Sequence, residues 1–312
     1  MKKNTKDKKT LDIFFKNLTL PLGLVCNDAG SANLIVNWFK EYQQNKKILC
    51  HVNGPAKEIF QCECPEIKNL PLDTLINSVR TLITGTGWSS NIEYNARLKA
   101  SKNNVLNIAV LDHWTDYKKR FTRNSLEHLP EIILVSDEIA LEKAKKIFPN
   151  IEILLLENLY LENLVLSIKK GKLHNQNKSH KILYVLEPIR GDWGDLKTLG
   201  EFQALDYFVE NLNLFGSINE IEIRLRKHPS ESNNKYLSWL KKNKEINVSM
   251  DISSSLVDSI KWSDTVVGCQ TFAMVIGLKS GRRVVTSIPP NMPKCVLAQK
   301  EIKTIEQLKN YC

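Results

Sequence analysis

Short apolar runs of strand length alternate with longer amphipathic runs along the whole chain, and this alternation limits the fold more than any other feature. Strand-like segments fall at residues 20–26, 48–52, 81–84, 105–111, 132–135 and 151–155, with helical segments at 33–44, 54–60, around Glu93 and Arg97, and at 137–147. Successive strands separated by a helix pair in parallel, because an antiparallel partner needs only a tight turn. Gly54-Pro55 puts a proline where the first turn of a helix tolerates one. The run Lys169-Lys-Gly-Lys-Leu-His-Asn-Gln-Asn-Lys-Ser-His-Lys181 then breaks the pattern with polar residues of no apolar periodicity, as a linker does. Beyond it the alternation resumes, with strands expected at 182–186, 221–225, 246–248, 265–267 and 283–286 and helices at 201–212, 235–242, 254–261, 272–278 and 302–311. The expected fold is α/β with two Rossmann-like domains, residues 1–168 and 182–288, joined by a linker at 169–181 and followed by a tail at 289–312.

A chain of 312 residues exceeds the size at which single cores stop growing, which agrees with two domains. Its 42% hydrophobic and 25% charged residues are those of a soluble globular protein, and no apolar run is long enough to span a bilayer. Met1-Lys-Lys-Asn-Thr-Lys-Asp-Lys-Lys9 is basic without an apolar stretch behind it, unlike a secretory signal, so a cytoplasmic location is expected. Seven cysteines, an odd number, do not form a disulfide framework at this size. Cys26 and Cys50 read as small hydrophobes, and Cys62-Glu-Cys64 lacks the second pair or nearby histidines of a metal site. The net charge of +10 is spread along the chain, with no nucleic-acid-binding motif and no one-sided basic helix. An anionic substrate, or peripheral attraction to the inner membrane face, is expected in place of nucleic acid.

Two motifs in the second half carry chemistry. Glu222-Ile-Arg-Leu-Arg-Lys-His-Pro-Ser-Glu231 is an alternating strand that ends in basic residues around His228, which Pro229 holds in an extended turn. Val266-Val-Gly-Cys-Gln-Thr-Phe-Ala-Met-Val-Ile-Gly277 reads as a buried strand, a tight turn and a helix start. A plain strand-end turn and an ordinary Thr271 helix cap answer the same residues. The dinucleotide fingerprint G-x-G-x-x-G does not follow the first strand, which argues against a dehydrogenase.

The order strand, His-Pro, helix, strand, glycine turn, helix resembles the C-terminal nucleotide domain of GT-B glycosyltransferases. Within that class the His-Pro pair is similar to that of bacterial sialyltransferases and related enzymes that use CMP-activated nonulosonic acids or Kdo. It also resembles that of CDP-glycerol glycerophosphotransferases. The resemblance spans residues 182–288 and reaches the N-terminal half only by architecture. It implies two Rossmann-like domains facing each other across a cleft. It further implies that His228 donates to the cytidine phosphate, that Pro229 aims it, and that Gly268, Gln270 and Thr271 offer backbone N–H groups and a hydroxyl at a helix N-terminus. Ser254, in the run Ser253-Ser-Ser255, either joins a helix cap or contacts phosphate. Glu187, Arg190 and Asp192 would meet the nucleotide from another side, with Arg190 suited to bidentate pairing.

The acidic-acidic-glycine motif of the sialyltransferases is not cleanly present; the nearest stretches are Asn27-Asp-Ala-Gly30 and Gly191-Asp-Trp-Gly194. Asp28, at the end of the first strand, is the first choice for the base that takes the acceptor proton, with an Asx turn as its structural alternative. Asp112-His113 offers a second base, with Asp112 orienting the imidazole and Trp114 and Tyr117 available to stack on a sugar. Glu93 and the glycines of Gly85-Thr-Gly-Trp-Ser-Ser90 line the same region. No Asp-x-Asp occurs, so no metal and no cofactor beyond a nucleotide-sugar donor are expected. The expected function is transfer of a CMP-activated nonulosonate or Kdo-like sugar to a surface glycan or lipid-linked precursor. Polyol-phosphate transfer, UDP-sugar epimerisation without hydrolysis and noncatalytic nucleotide or glycan binding are the alternatives.

Overall fold

The structure is a computed structural model and describes residues 5–42, 47–88, 90–170, 179–189, 193–194, 198–232 and 234–310. It divides into two compact units, Met1–Tyr160 and Leu161–Cys312.

The first unit is built on β1 (Leu22–Cys26), β2 (Ile48–Val52), β3 (Lys68–Asn69), β4 (Thr81–Thr84) and β5 (Leu106–Leu111). A small antiparallel hairpin of β6 (Thr122–Arg123) and β7 (Leu126–Glu127) precedes β8 (Ile132–Val135) and β9 (Glu152–Leu155). Seven strands form one sheet in the order β3-β2-β1-β4-β5-β8-β9, and every pairing in it is parallel. Side chains of a strand alternate between faces, so β1 serves two cores at once. Leu22, Leu24 and Cys26 join the cluster of Phe15, Trp38 and Phe60, while Val25 joins Leu75, Ile76, Leu82 and Ala100 on the other face. Trp38 Nε1 donates to Glu157 O at 2.7 Å, satisfying the polar atom of an otherwise enclosed indole.

The second unit repeats the plan with β10 (His180–Val185), β11 (Ile221–Arg226), β12 (Val248–Met250), β13 (Thr265–Gly268), β14 (Arg283–Thr286) and β15 (Lys303–Thr304). Their order is β12-β11-β10-β13-β14-β15, again wholly parallel. Ile182 and Tyr184 from β10, and Ile221, Ile223 and Leu225 from β11, pack against Leu205 and Phe208 of the helix Gly200–Glu210. Each such buried aliphatic contributes roughly 1.5–3 kcal/mol. In both units the chain leaves its first strand to one side and later returns to the other, so β1/β4 and β10/β13 are topological switch points. Parallel sheets of this kind bind ligands in the crevice beyond the carboxyl ends of the strands at such points.

The α/β class and the parallel strands agree with the sequence, and the differences are local. The helix that follows β1 is Ala29–Tyr42, not 33–44, because only Asn27 and Asp28 separate it from the strand. Strand β3, the hairpin, and the helices Thr5–Asn17, Leu72–Ser78, Tyr117–Phe121 and Leu159–Lys169 carry no expectation above. The tail expected as helix from 302 opens with β15, and its helix is Ile305–Lys309, started by a capping box of Thr304 and Gln307. Most of the expected linker, 171–178, lies outside the described residues. Among the described residues no helix is long and apolar enough to cross a membrane.

Candidate active site

In the first unit, the carboxyl ends of β1, β4 and β5 bring Asp28, Glu93 and Asp112 around one set of glycines. A Cβ on Gly87 would run into Asp28 Oδ2 and stand 2.8 Å from Glu93 Oε2; one on Gly30 would overlap Asp112 Oδ2. Glycine at 87 thus lets Asp28 and Glu93 approach the backbone, and glycine at 30 lets Asp112 do so. Asn27 links two of them: its backbone N–H donates to Glu93 Oε1 at 2.9 Å and its side-chain amide to Asp28 Oδ1 at 2.9 Å.

Glu93 is fully buried, and its Oε2 has no hydrogen-bond partner among the described residues. Burial pushes its carboxyl up to about 7; Asp28 and Asp112 push the same way, while the Asn27 N–H and Arg97 oppose. Two arginines stiffen the floor of the cluster. Arg97, also fully buried, donates through Nη1 to Thr84 Oγ1 and Gly85 O and through Nη2 to Arg120 O. Burial lowers its guanidinium to about 10, so it stays cationic at neutral pH. Arg120 pairs with Asp112 at 3.0 Å and also donates to Thr115 O. A carboxyl group whose proton affinity burial raises to about 7, beside two further acidic side chains, can accept or return a proton at physiological pH.

The expected Asp112-His113 couple does not form in this arrangement. Asp112 faces Arg120, while His113 Nδ1 pairs with Thr115 Oγ1 at 3.1 Å, and burial and Arg120 lower the imidazole's affinity for a proton. Trp114 and Tyr117 are likewise unavailable for stacking on a sugar. Both are buried, with Trp114 Nε1 donating to Asp137 Oδ2 at the start of the helix Glu138–Ile147. Neither arginine stands out in the sequence: Arg97 reads as one more charged residue of a helix, and Arg120 as part of the polar stretch that follows a strand.

In the second unit, the His-Pro turn lies just beyond β11. Glu231 N–H donates to His228 O at 3.0 Å and Glu231 Oε2 accepts from His228 N–H at 3.2 Å, closing the turn around Pro229. Ser230 N–H donates to His228 Nδ1, which makes that nitrogen an acceptor and puts the ring proton on Nε2. Glu231 is in turn held by Tyr236 at 2.8 Å and by Lys235, which also pairs with Glu201. This buried acid, unnoticed in the sequence, anchors the motif.

The basic residues before His228 disperse instead of clustering. Arg224 stacks on Trp262 with 4.0 Å to the ring centroid, and Arg226 is tied to Asp251 at 2.7 Å and to Ser259 at 2.8 Å. Alternation along β11 accounts for this, because residues 224 and 226 project from a sheet face and not from its carboxyl edge. At the other switch-point loop the Gln270 N–H already donates to Glu187 Oε2 at 3.0 Å, and Thr271 caps the helix Phe272–Lys279 through Ala273 N–H. A phosphate arriving at Gln270 therefore meets a carboxylate already in place. Gly268 sits within β13, where Val185 and Met274 leave no room for a side chain. Ser254 donates to Asp258 Oδ2 at 3.0 Å, and its neighbour Ser255 is the cap of the helix Leu256–Trp262. Arg190 and Asp192 lie outside the described residues.

No family model matches the chain, and no curated protein does. Solved structures do match. The UDP-GlcNAc 2-epimerase of Neisseria meningitidis bound to UDP-GlcNAc is 12% identical, over 82% of this chain and 79% of that one, with a TM-score of 0.55. The S. aureus MnaA–UDP co-structure is 11% identical over 86% and 79%, with a TM-score of 0.59. The UDP-N-acetylglucosamine 2-epimerase of Rickettsia bellii is 12% identical over 83% and 76%, with a TM-score of 0.52. The fold is of the GT-B type. At these identities the likeness establishes the architecture, two Rossmann-like units in one chain, and leaves the chemistry to the residues.

Proposed function

We propose that the protein is a glycosyltransferase of the GT-B type that uses a nucleotide-activated sugar, with a CMP-linked nonulosonate or Kdo-like sugar as the donor class. The observation that carries this reading is the carboxylate cluster at the β1/β4 switch point, with Glu93 near neutrality beside Asp28. In the proposed reaction, a carboxylate of the cluster takes the proton of an acceptor hydroxyl. That oxygen forms a bond to the anomeric carbon as the bond from this carbon to the donor phosphate breaks, and the nucleotide leaves with both electrons. The His228 Nε2–H is suited to donate to the phosphate as charge builds on it. The positive net charge of the chain suits an anionic acceptor such as a surface glycan or its lipid-linked precursor. No metal is assigned a part in this reading.

The fold neighbours bound to UDP-GlcNAc and to UDP favour a second reading, epimerisation of a UDP-sugar, in which the same carboxylates move a proton on carbon. Thermal titration with CMP, CDP, UMP and UDP separates the two. A nucleotide at about a hundred times its Kd stabilises the folded chain by about 2.7 kcal/mol. Stabilisation by the cytidine nucleotides is expected, and stabilisation by UDP alone would overturn the CMP-sugar reading in favour of the second. His228→Ala should weaken nucleotide binding about 10- to 100-fold, the loss of one charge-assisted hydrogen bond. Asp28→Asn should leave nucleotide binding intact and abolish turnover.

A further inference from the structure

Among the described residues, the exposed large hydrophobic side chains include one aromatic, Trp88, with 48% of its surface open to solvent. An indole half open to solvent pairs a broad apolar face with a polar N–H edge, which suits a partner of the same mixed character. A pyranose ring is one, with C–H groups on a face and hydroxyls around the rim.

The backbone around Trp88 is pinned. Arg123 donates through Nη2 to Gly87 O at 2.9 Å and to Ser90 O at 3.3 Å, and through Nε to Asn91 Oδ1 at 2.9 Å, so one guanidinium holds the turn on both sides of the indole. Lys119 Nζ lies 3.6 Å from the ring centroid, and Lys118 beside it is also exposed. Neighbouring Cα atoms lie about 3.8 Å apart, and Gly87 abuts both Asp28 and Glu93, so Trp88 rises from the rim of the carboxylate cluster.

We infer that Trp88 and Lys119 form a saccharide subsite for an anionic acceptor, whose ring stacks on the indole while its carboxylate or phosphate pairs with the Lys119 ammonium. The inference rests on the transferase reading for its purpose, presenting a sugar hydroxyl to Asp28 and Glu93, but binding at Trp88 is testable by itself. Stacking supplies affinity for any pyranose, and Lys119 supplies the preference for negative charge, which weakens as salt screens it.

Isothermal titration of the full chain with a galacturonate tetramer, a 2,8-linked sialate tetramer and the neutral maltotetraose tests this. At least one anionic tetramer should bind about tenfold more tightly than maltotetraose. Trp88→Ala should weaken it tenfold or more, Trp88→Phe should restore most of the loss, and Lys119→Gln should remove the preference over maltotetraose. Failure of both anionic tetramers to bind, unchanged affinity in Trp88→Ala, or an unchanged preference in Lys119→Gln would each overturn the subsite. Nucleotide titration of the same samples keeps the two ideas apart. Nucleotide binding without saccharide binding sinks the subsite alone, and saccharide binding without nucleotide binding sinks the transferase reading alone.

Discussion

A carboxylic acid enclosed by protein and flanked by other acids keeps its proton longer than one in water, and Glu93 turns that into a measurable slope. Its folded value of about 7 stands above its ordinary 4.5, so between them the folded state holds a proton that the unfolded chain has released. Stability should therefore fall as pH rises from about 4.5 to about 7, by about 3 kcal/mol from this group. Glu93→Gln should flatten that window in denaturant titrations at pH 5 and pH 8 while abolishing turnover. An unchanged slope in the variant would remove Glu93 as the titrating group. The placement of Asp28 at the end of the first strand was legible in the sequence, as was the glycine turn that admits Glu93. The sequence did not disclose that Arg120 claims Asp112, because a pairing eight residues apart across a turn leaves no periodic trace.

Element by element, the sequence was most informative where a short strand is buried as a continuous run. The spans Ile48–Val52, Thr81–Thr84, Ile132–Val135 and Arg283–Thr286 coincide with the expected strands, since each is an apolar run bounded by turn residues. Two-residue strands such as Lys68–Asn69 are polar and too short for any period to show. Beyond β11, the sequence pointed to His228 but not to its support. The buried Glu231 closes the turn and is neutralised by Lys235, a pairing visible only once the turn and the following segment have folded together. Replacing Glu231 takes a buried carboxylate from both Tyr236 and Lys235, of which Lys235 keeps Glu201. Glu231→Gln should cost about 1–3 kcal/mol of stability and weaken nucleotide binding, while His228→Ala should weaken binding with little change in Tm. Equal nucleotide affinity in Glu231→Gln and the parent would show that the turn holds its shape without this anchor.

At the scale of the whole molecule, two sheets with separate apolar clusters make a single unfolding transition a poor expectation. Calorimetry should resolve two components, and saturating nucleotide should raise the one that belongs to Leu161–Cys312. A uniform shift of one cooperative peak would contradict this. Each sheet also ends on one side in a two-residue strand that carries a lysine, β3 with Lys68 and β15 with Lys303, both exposed. Open edges of parallel sheets are templates on which a second chain can add a strand, and shortness and charge are the usual defences. The consequence is colloidal: on those sides a neighbouring molecule finds almost no ladder to extend and a like charge in its way, so association through these two edges should be resisted even at the high concentrations where exposed strands seed fibres.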